Sequence, residues 1–188
     1  MVDIARATKL AIDSFPFNQG AFYGSAAGLA TGVGLILDGV AYPLFDENEQ
    51  LFDTVAGVVY VLTHECDLDA ANNRSFNEYA LICPIICFRE FALEFATNHS
   101  EAALFGFIPD LASNRIFRAA FIPPIDRVIL PHGGILYLNQ ICSTHVMSFK
   151  TGISRPVCAL SQYAQQIIDY KLVNHLFRPK ADQLPRLH

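Results

Sequence analysis

Five side chains able to do chemistry follow one apolar run. Gly57-Val58-Val59-Tyr60-Val61-Leu62 leads into Thr63-His64-Glu65-Cys66-Asp67-Leu68-Asp69. The β-branched, aliphatic run predicts a buried strand. Its exit then presents imidazole, thiol and carboxylates where a strand normally leaves the core. Alternate residues of a strand share a face, so His64 and Cys66 point one way and Thr63, Glu65 and Asp67 the other. One face suits a thiol–imidazole pair and the other suits paired carboxylates with a hydroxyl.

A cysteine nucleophile needs a base to take its proton. His64 lies two residues from Cys66, roughly 6–7 Å along a strand, which is longer than a hydrogen bond. A more distant imidazole, His132 or His145, suits the role better. A second reading joins His64 and Cys66 to Cys142 and His145 as a zinc site, because Cys142-Ser143-Thr144-His145 has the spacing of a metal clip. A third uses Glu65, Asp67 and Asp69 to hold Mg²⁺. Arg74 and Arg155 are candidates to pair with Asp67 or to grip a phosphate. The structural alternative is that Asp67 and Asp69 hold turns and Cys66 packs as a small apolar side chain. No Walker loop is present, since Gly28 to Gly34 contains no lysine. No G-x-S-x-G elbow is present either. The catalytic candidates are therefore His64, Cys66, Asp67, Arg74 and Arg155, and no cofactor is required unless the zinc or Mg²⁺ reading holds.

These residues need a scaffold. The chain has 188 residues, 52% hydrophobic and 16% charged, which suits one domain with a substantial core and argues against disorder. Residues 2–13 have helical apolar spacing. Val33 to Leu37 and Val40 to Phe45 read as two strands joined by a tight Asp38-Gly39 turn. Residues 46–50 and 67–77 read as polar loops. Residues 57–65 form a strand, and Glu78 to Cys83 the next, stopped by Pro84. Residues 88–98 and 100–105 are helical by composition. Residues 115–122, 126–130 and 135–141 read as further strands, with a turn at His132-Gly133-Gly134. A terminal helix runs from Ser154 as N-cap, with Pro156 in its first turn, to about residue 177. Arg155 would then stand at an anion-attracting helix start. Many short strands and one late helix predict a mainly β, α+β fold: a small barrel or a curled antiparallel sheet with a C-terminal helix.

The net charge of −5 gives no global reason to bind nucleic acid. The C-terminal Lys171, His175, Arg178, Lys180, Arg186 and His188 form a local basic group, read as a solvated helix end. Five cysteines, an odd count, with no basic-then-apolar leader point to free thiols in a reducing cytoplasm. Gly20, Gly24, Gly28 and Gly32 recur at the spacing that lets membrane helices pack, but the clean apolar stretch is shorter than a span needs. A membrane-active effector using residues 20–37 is therefore the third functional reading.

The strand ending Thr63, two further residues and then Cys66-Asp67, with a second aliphatic strand ending Leu81-Ile82-Cys83-Pro84, resembles a loose group of bacterial proteins. Some of these are similar to the PemK/MazF toxins. The resemblance covers about residues 33–84 and, more loosely, the terminal helix from near Arg155. It implies an SH3-like barrel with a C-terminal helix, and an association with toxin–antitoxin, mobile-element or antiphage systems. The toxin family cleaves single-stranded RNA without a metal, using an arginine and a neighbouring hydroxyl residue. That motif has no residue-by-residue counterpart in this chain. Taken together, the leading expectation is a non-enzymatic binding or assembly module with a protein partner or a second copy of itself. A toxin-like enzyme acting on RNA or a nucleotide comes next.

Overall fold

The computed structural model describes residues 2–24, 34–45, 51–64, 78–125, 127–149 and 153–176. In chain order the elements are α1 (Ile4–Ser14), α2 (Gln19–Phe22), β1 (Tyr23–Gly24), β2 (Leu35–Phe45), β3 (Leu51–Val61) and β4 (Tyr79–Cys87). They continue with α3 (Phe88–Asn98), α4 (Glu101–Ala112), β5 (Ala119–Ile122), β6 (Gly134–Tyr137), β7 (Cys142–His145), β8 (Arg155–Leu160) and α5 (Gln162–Leu176). Single 3-10 turns occupy Leu138–Gln140 and Val146–Phe149. The fold is α+β, with an antiparallel curled sheet in the order β1-β8-β2-β3-β4-β6-β5 and β7 beside β4. Of the two architectures expected, the curled sheet is the one seen. The described ladders do not close into a barrel.

β4 runs through two environments. Tyr79 to Ile82 pair with β7, and Ile85 to Cys87 pair with β6 along the same edge. On its other edge β4 pairs with β3 through Val61↔Ile82, Tyr60↔Cys83 and Val59↔Pro84. The first environment is a small aliphatic core of Leu35, Leu37, Val40, Val59, Val61, Ile82 and Ala159. There β7 curls back toward β2, and the Thr144 hydroxyl donates to the Ala41 carbonyl at 2.6 Å. A buried hydroxyl bond thus joins two strands that share no ladder. The second environment is a larger core covered by α1, α3 and α4. Its rings interlock edge to face: Phe121 lies 5.9 Å from Phe15 and 5.5 Å from Phe88.

Several expectations about local structure need correction. Asp38-Gly39 is no hairpin turn. β2 runs straight through it, and three steps from Leu37 to Val40 face only two from Val59 to Gly57, so one extra residue makes a bulge. Gly39 supplies the positive φ of 77° there, and a Cβ would stand 2.9 Å from the Ile153 carbonyl. Pro84 does not stop β4. The Leu62 N–H donates to the Leu81 carbonyl at 2.9 Å, which by alternation puts Val59 and Pro84 in a pair without hydrogen bonds. The N–H that proline lacks would have pointed at the other edge, in the gap between β7 and β6, where no ladder bond is lost.

The terminal helix begins later than its spacing suggests. Residues 155–160 fit a helical repeat, yet they form β8, paired with β1 on one edge and β2 on the other. The helix starts after Ser161, whose hydroxyl accepts the Ala164 N–H at 3.2 Å. Ser154 and Pro156 therefore cap nothing. Elsewhere, residues 127–132 are turns rather than a strand, and 135–141 is split by the 3-10 turn at Leu138–Gln140. α4 runs on past residue 105 to Ala112, with Pro109 inside it.

Candidate functional site

The sheet end where β3 stops and β4 and β7 meet holds the described part of the candidate motif. Past Val61 the chain stays beside β4, and the Thr63 hydroxyl accepts the Leu81 N–H at 2.6 Å. Thr63 thus extends the strand pairing by one side-chain bond, which is a structural duty. His64 follows and is exposed. Glu65, Cys66, Asp67, Asp69 and Arg74 lie outside the described residues.

Across this end stands an aromatic–imidazole pair. Tyr79 opposes His145 in the register, and their rings meet edge to face at 5.4 Å. The His145 Nδ1 accepts the Met147 N–H at 3.1 Å, so in the neutral ring the proton sits on Nε2. Tyr79 is 62% exposed and Leu81 52%. The end of the sheet therefore offers two imidazoles, a phenol and an aliphatic side chain to solvent.

The other predicted partners are elsewhere. Cys142 and His145 are three apart on one strand and face opposite ways: Cys142 packs with the aliphatic core while His145 is exposed. The expected zinc clip is not formed by this pair. Among the described residues no three His, Cys, Asp or Glu side chains gather as a metal would require. His132 is also displaced. It lies just before β6, at the far end of β4, about 26 Å along the strand from Tyr79 by strand rise, and its Nδ1 is 3.0 Å from the Thr8 hydroxyl. Arg155 lies on β8 and pairs with Asp38 at 3.3 Å beside the bulge. That position is level with Val58 of β3, roughly 20 Å along the sheet from His64. It is not at a helix start, because α5 begins seven residues later.

Cys83, Cys142 and Cys158 are poor nucleophiles. Burial pushes the Cys83 thiol far up, and its sulfur lies 3.4 Å from the Tyr137 carbonyl. Burial raises Cys158 to about 12 and raises Cys142 as well. A thiol held neutral neither attacks nor binds a metal readily. Cys83, Cys87, Cys142 and Cys158 are all free.

Lys171 belongs to the interior and not to a solvated basic C-terminus. It is 3% exposed, and its Nζ donates to the carbonyls of Asn114 (3.1 Å), Ile116 (2.7 Å) and Ala119 (2.8 Å). Burial lowers it to about 8. Three donors meet three acceptors, so the ammonium is a clasp between α5 and the α4–β5 connection. Arg178, Lys180, Arg186 and His188 lie outside the described residues.

Of the Gly-spaced segment, Gly20 sits in α2 and Gly24 in β1, while Gly28 and Gly32 lie outside the described residues. No described helix is long and apolar enough to cross a membrane. Compared with known proteins, the chain matches no family model and no curated sequence.

Sequence reading missed the outer face of α5. Tyr163, Tyr170, Val173 and Leu176 are 52–67% exposed there, while Ala164, Ile168 and Lys171 face inward. The signal was present: Tyr163 and Tyr170 are seven apart, two turns on one side of a helix.

Proposed function

We propose that the chain is a non-enzymatic binding or assembly module whose protein partner, or second copy, seats on the outer face of α5. One observation carries this reading: α5 turns large apolar side chains, Tyr163, Tyr170, Val173 and Leu176, toward solvent. A helix packed on a core needs one apolar stripe and turns polar residues to water. Here Ala164, Ile168 and Lys171 face inward, and Tyr163, Tyr170 and Val173 stand exposed on the solvent side among Gln162, Gln166 and Asp169, with Tyr163 edge to face with Phe17 at 5.2 Å. Exposed tyrosines with aliphatic neighbours are the side chains that interfaces favour. The decisive experiment measures mass in solution by light scattering, with cross-linking from a photoreactive residue at position 170. The Tyr170→Glu, Val173→Glu double variant is expected to melt like the wild type and to lose the complex. A wild type that is monomeric and forms no cross-link sinks the reading.

A second reading is a toxin-like enzyme acting on RNA or a nucleotide. It is favoured by His64, Tyr79 and His145 standing at one end of the sheet, with Cys66, Asp67 and Arg74 following His64 in sequence and outside the described residues. Its test is growth of a host expressing the wild type, Cys66→Ser or Asp67→Asn. Toxicity lost without any change in melting temperature supports chemistry at the strand exit. A harmless wild type removes this reading.

A further inference from the structure

A cleft of about 590 Å³ opens between α3 and α4 on one side and the β5–β6 sheet on the other. It is separate from the strand exit and from the outer face of α5, although Lys171 of α5 binds the carbonyls of Ile116 and Ala119, two residues of its lining. Its wall is aromatic: Phe95 stacks on Phe107 at 5.0 Å and 21°, and Phe91 lies 6.1 Å from Phe107. Its size is that of a small-molecule site.

The mouth is polar, and its charges are unspent. Arg118 leads into β5, and its backbone is held in place because its carbonyl accepts the Leu138 N–H at 2.9 Å. Its exposed guanidinium has no ion pair or hydrogen bond among the described residues. Glu94 stands on the α3 wall, also without a described partner. An aromatic slot beside a free planar cation suits one kind of molecule. The aromatic wall, which His99 extends by packing on Phe95 at 4.5 Å, takes a flat apolar body, and the guanidinium fork takes a carboxylate through two parallel hydrogen bonds. Glu94 disfavours an anion on the helical wall, which turns the acid group toward Arg118.

We propose that this cleft is a binding site for a small aromatic carboxylate, its ring against Phe91, Phe95 and Phe107 and its acid group on Arg118. The site stands apart from the function proposed above and survives or fails on its own test. The probe is 2-naphthoate, followed by its fluorescence anisotropy, with naphthalene-2-carboxamide and 2-naphthylmethylamine as neutral and cationic matches. Naphthoate is expected to bind saturably, one per chain, and more tightly than either match. Arg118→Gln is expected to weaken naphthoate at least tenfold while leaving the carboxamide and the melting temperature unchanged. Phe107→Leu is expected to weaken both. A tetrapeptide ending in Phe separates a free acid from a chain terminus. Any one of four results overturns the proposal: no saturable naphthoate binding at millimolar concentration, equal binding by Arg118→Gln, an amine that binds as well as the acid, or a peptide that binds tenfold tighter. If Arg118→Gln melts early, Arg118→Lys serves instead. It keeps the charge and loses the fork, and full retention of naphthoate affinity would then count against the bidentate contact.

Discussion

The two halves of β4 build different interiors. Around Tyr79–Ile82 the strands curl over a core of Leu, Val, Ile and Ala, and no helix is needed to cover it. Around Ile85–Cys87 three helices lie over the sheet, and phenylalanine fills the space. The difference is one of distance. A sheet curled on itself leaves room only for short branched side chains. Helices stacked on a sheet leave a thicker gap that rings bridge, and rings locked edge to face pack that gap without filling it completely. The aliphatic half accordingly exposes its chemistry at a strand end, while the aromatic half keeps a cleft.

Breaking the aromatic half should cost most. Phe121→Ala removes a ring that touches both Phe15 and Phe88, and about 3–5 kcal/mol of stability is expected to be lost, read from urea unfolding. Next comes Lys171→Met, which leaves three carbonyls without their donor. A loss of about 2–3 kcal/mol at neutral pH is expected. This variant also has a pH signature. With the folded group at about 8 and the unfolded group at the ordinary 10.5, the folded state sheds its proton first. The wild type should therefore gain stability from this group as pH rises from about 8 toward 10.5, and Lys171→Met should lack that rise. Urea midpoints measured across that window test the sign.

Smaller effects sharpen the contrast between the halves. Gly133→Ala, with φ of 82° and a Cβ that would stand 2.5 Å from the Ile122 carbonyl, should cost more than Gly39→Ala in the aliphatic half. Both should fall near 1–3 kcal/mol in thermal melts. Ile82→Val trims one methylene from the aliphatic core and should cost about 1 kcal/mol. Smallest is Arg155→Ala. Its pair with Asp38 is largely solvated, and a change below about 0.5 kcal/mol is expected in the same assay. A large drop would mean that the bulge depends on this pair.

What the sequence reveals depends on how local the deciding interaction is. α1 was legible because its own spacing defines it, with the Asp3 side chain accepting the Arg6 N–H at 3.0 Å, and α3 was legible by its composition. β3 was legible as an unbroken β-branched run. β8 was not, because Val157 and Leu160 satisfy a helical repeat and only pairing with β1 and β2 overrides it. Pro84 and Asp38-Gly39 misled for the same reason: each is a stop or turn signal whose meaning changes once a neighbouring strand supplies a gap or a register shift. At the site, Thr63 was legible as a strand-end residue. The separation of Arg155, His132 and Cys142 from it was not, since their positions depend on strand order. The aromatic cleft joins phenylalanines from two helices to a sheet, and no local pattern announces it.

Lys171 also sets an order of events during synthesis. The carbonyls it binds belong to residues made 52 to 57 positions earlier. As the chain leaves the ribosome, the turn between α4 and β5 must wait for that lysine, wet or held by makeshift partners. The aromatic half is thus sealed from its far end, and a chain arrested just before residue 171 would lack the donor that closes the α4–β5 connection.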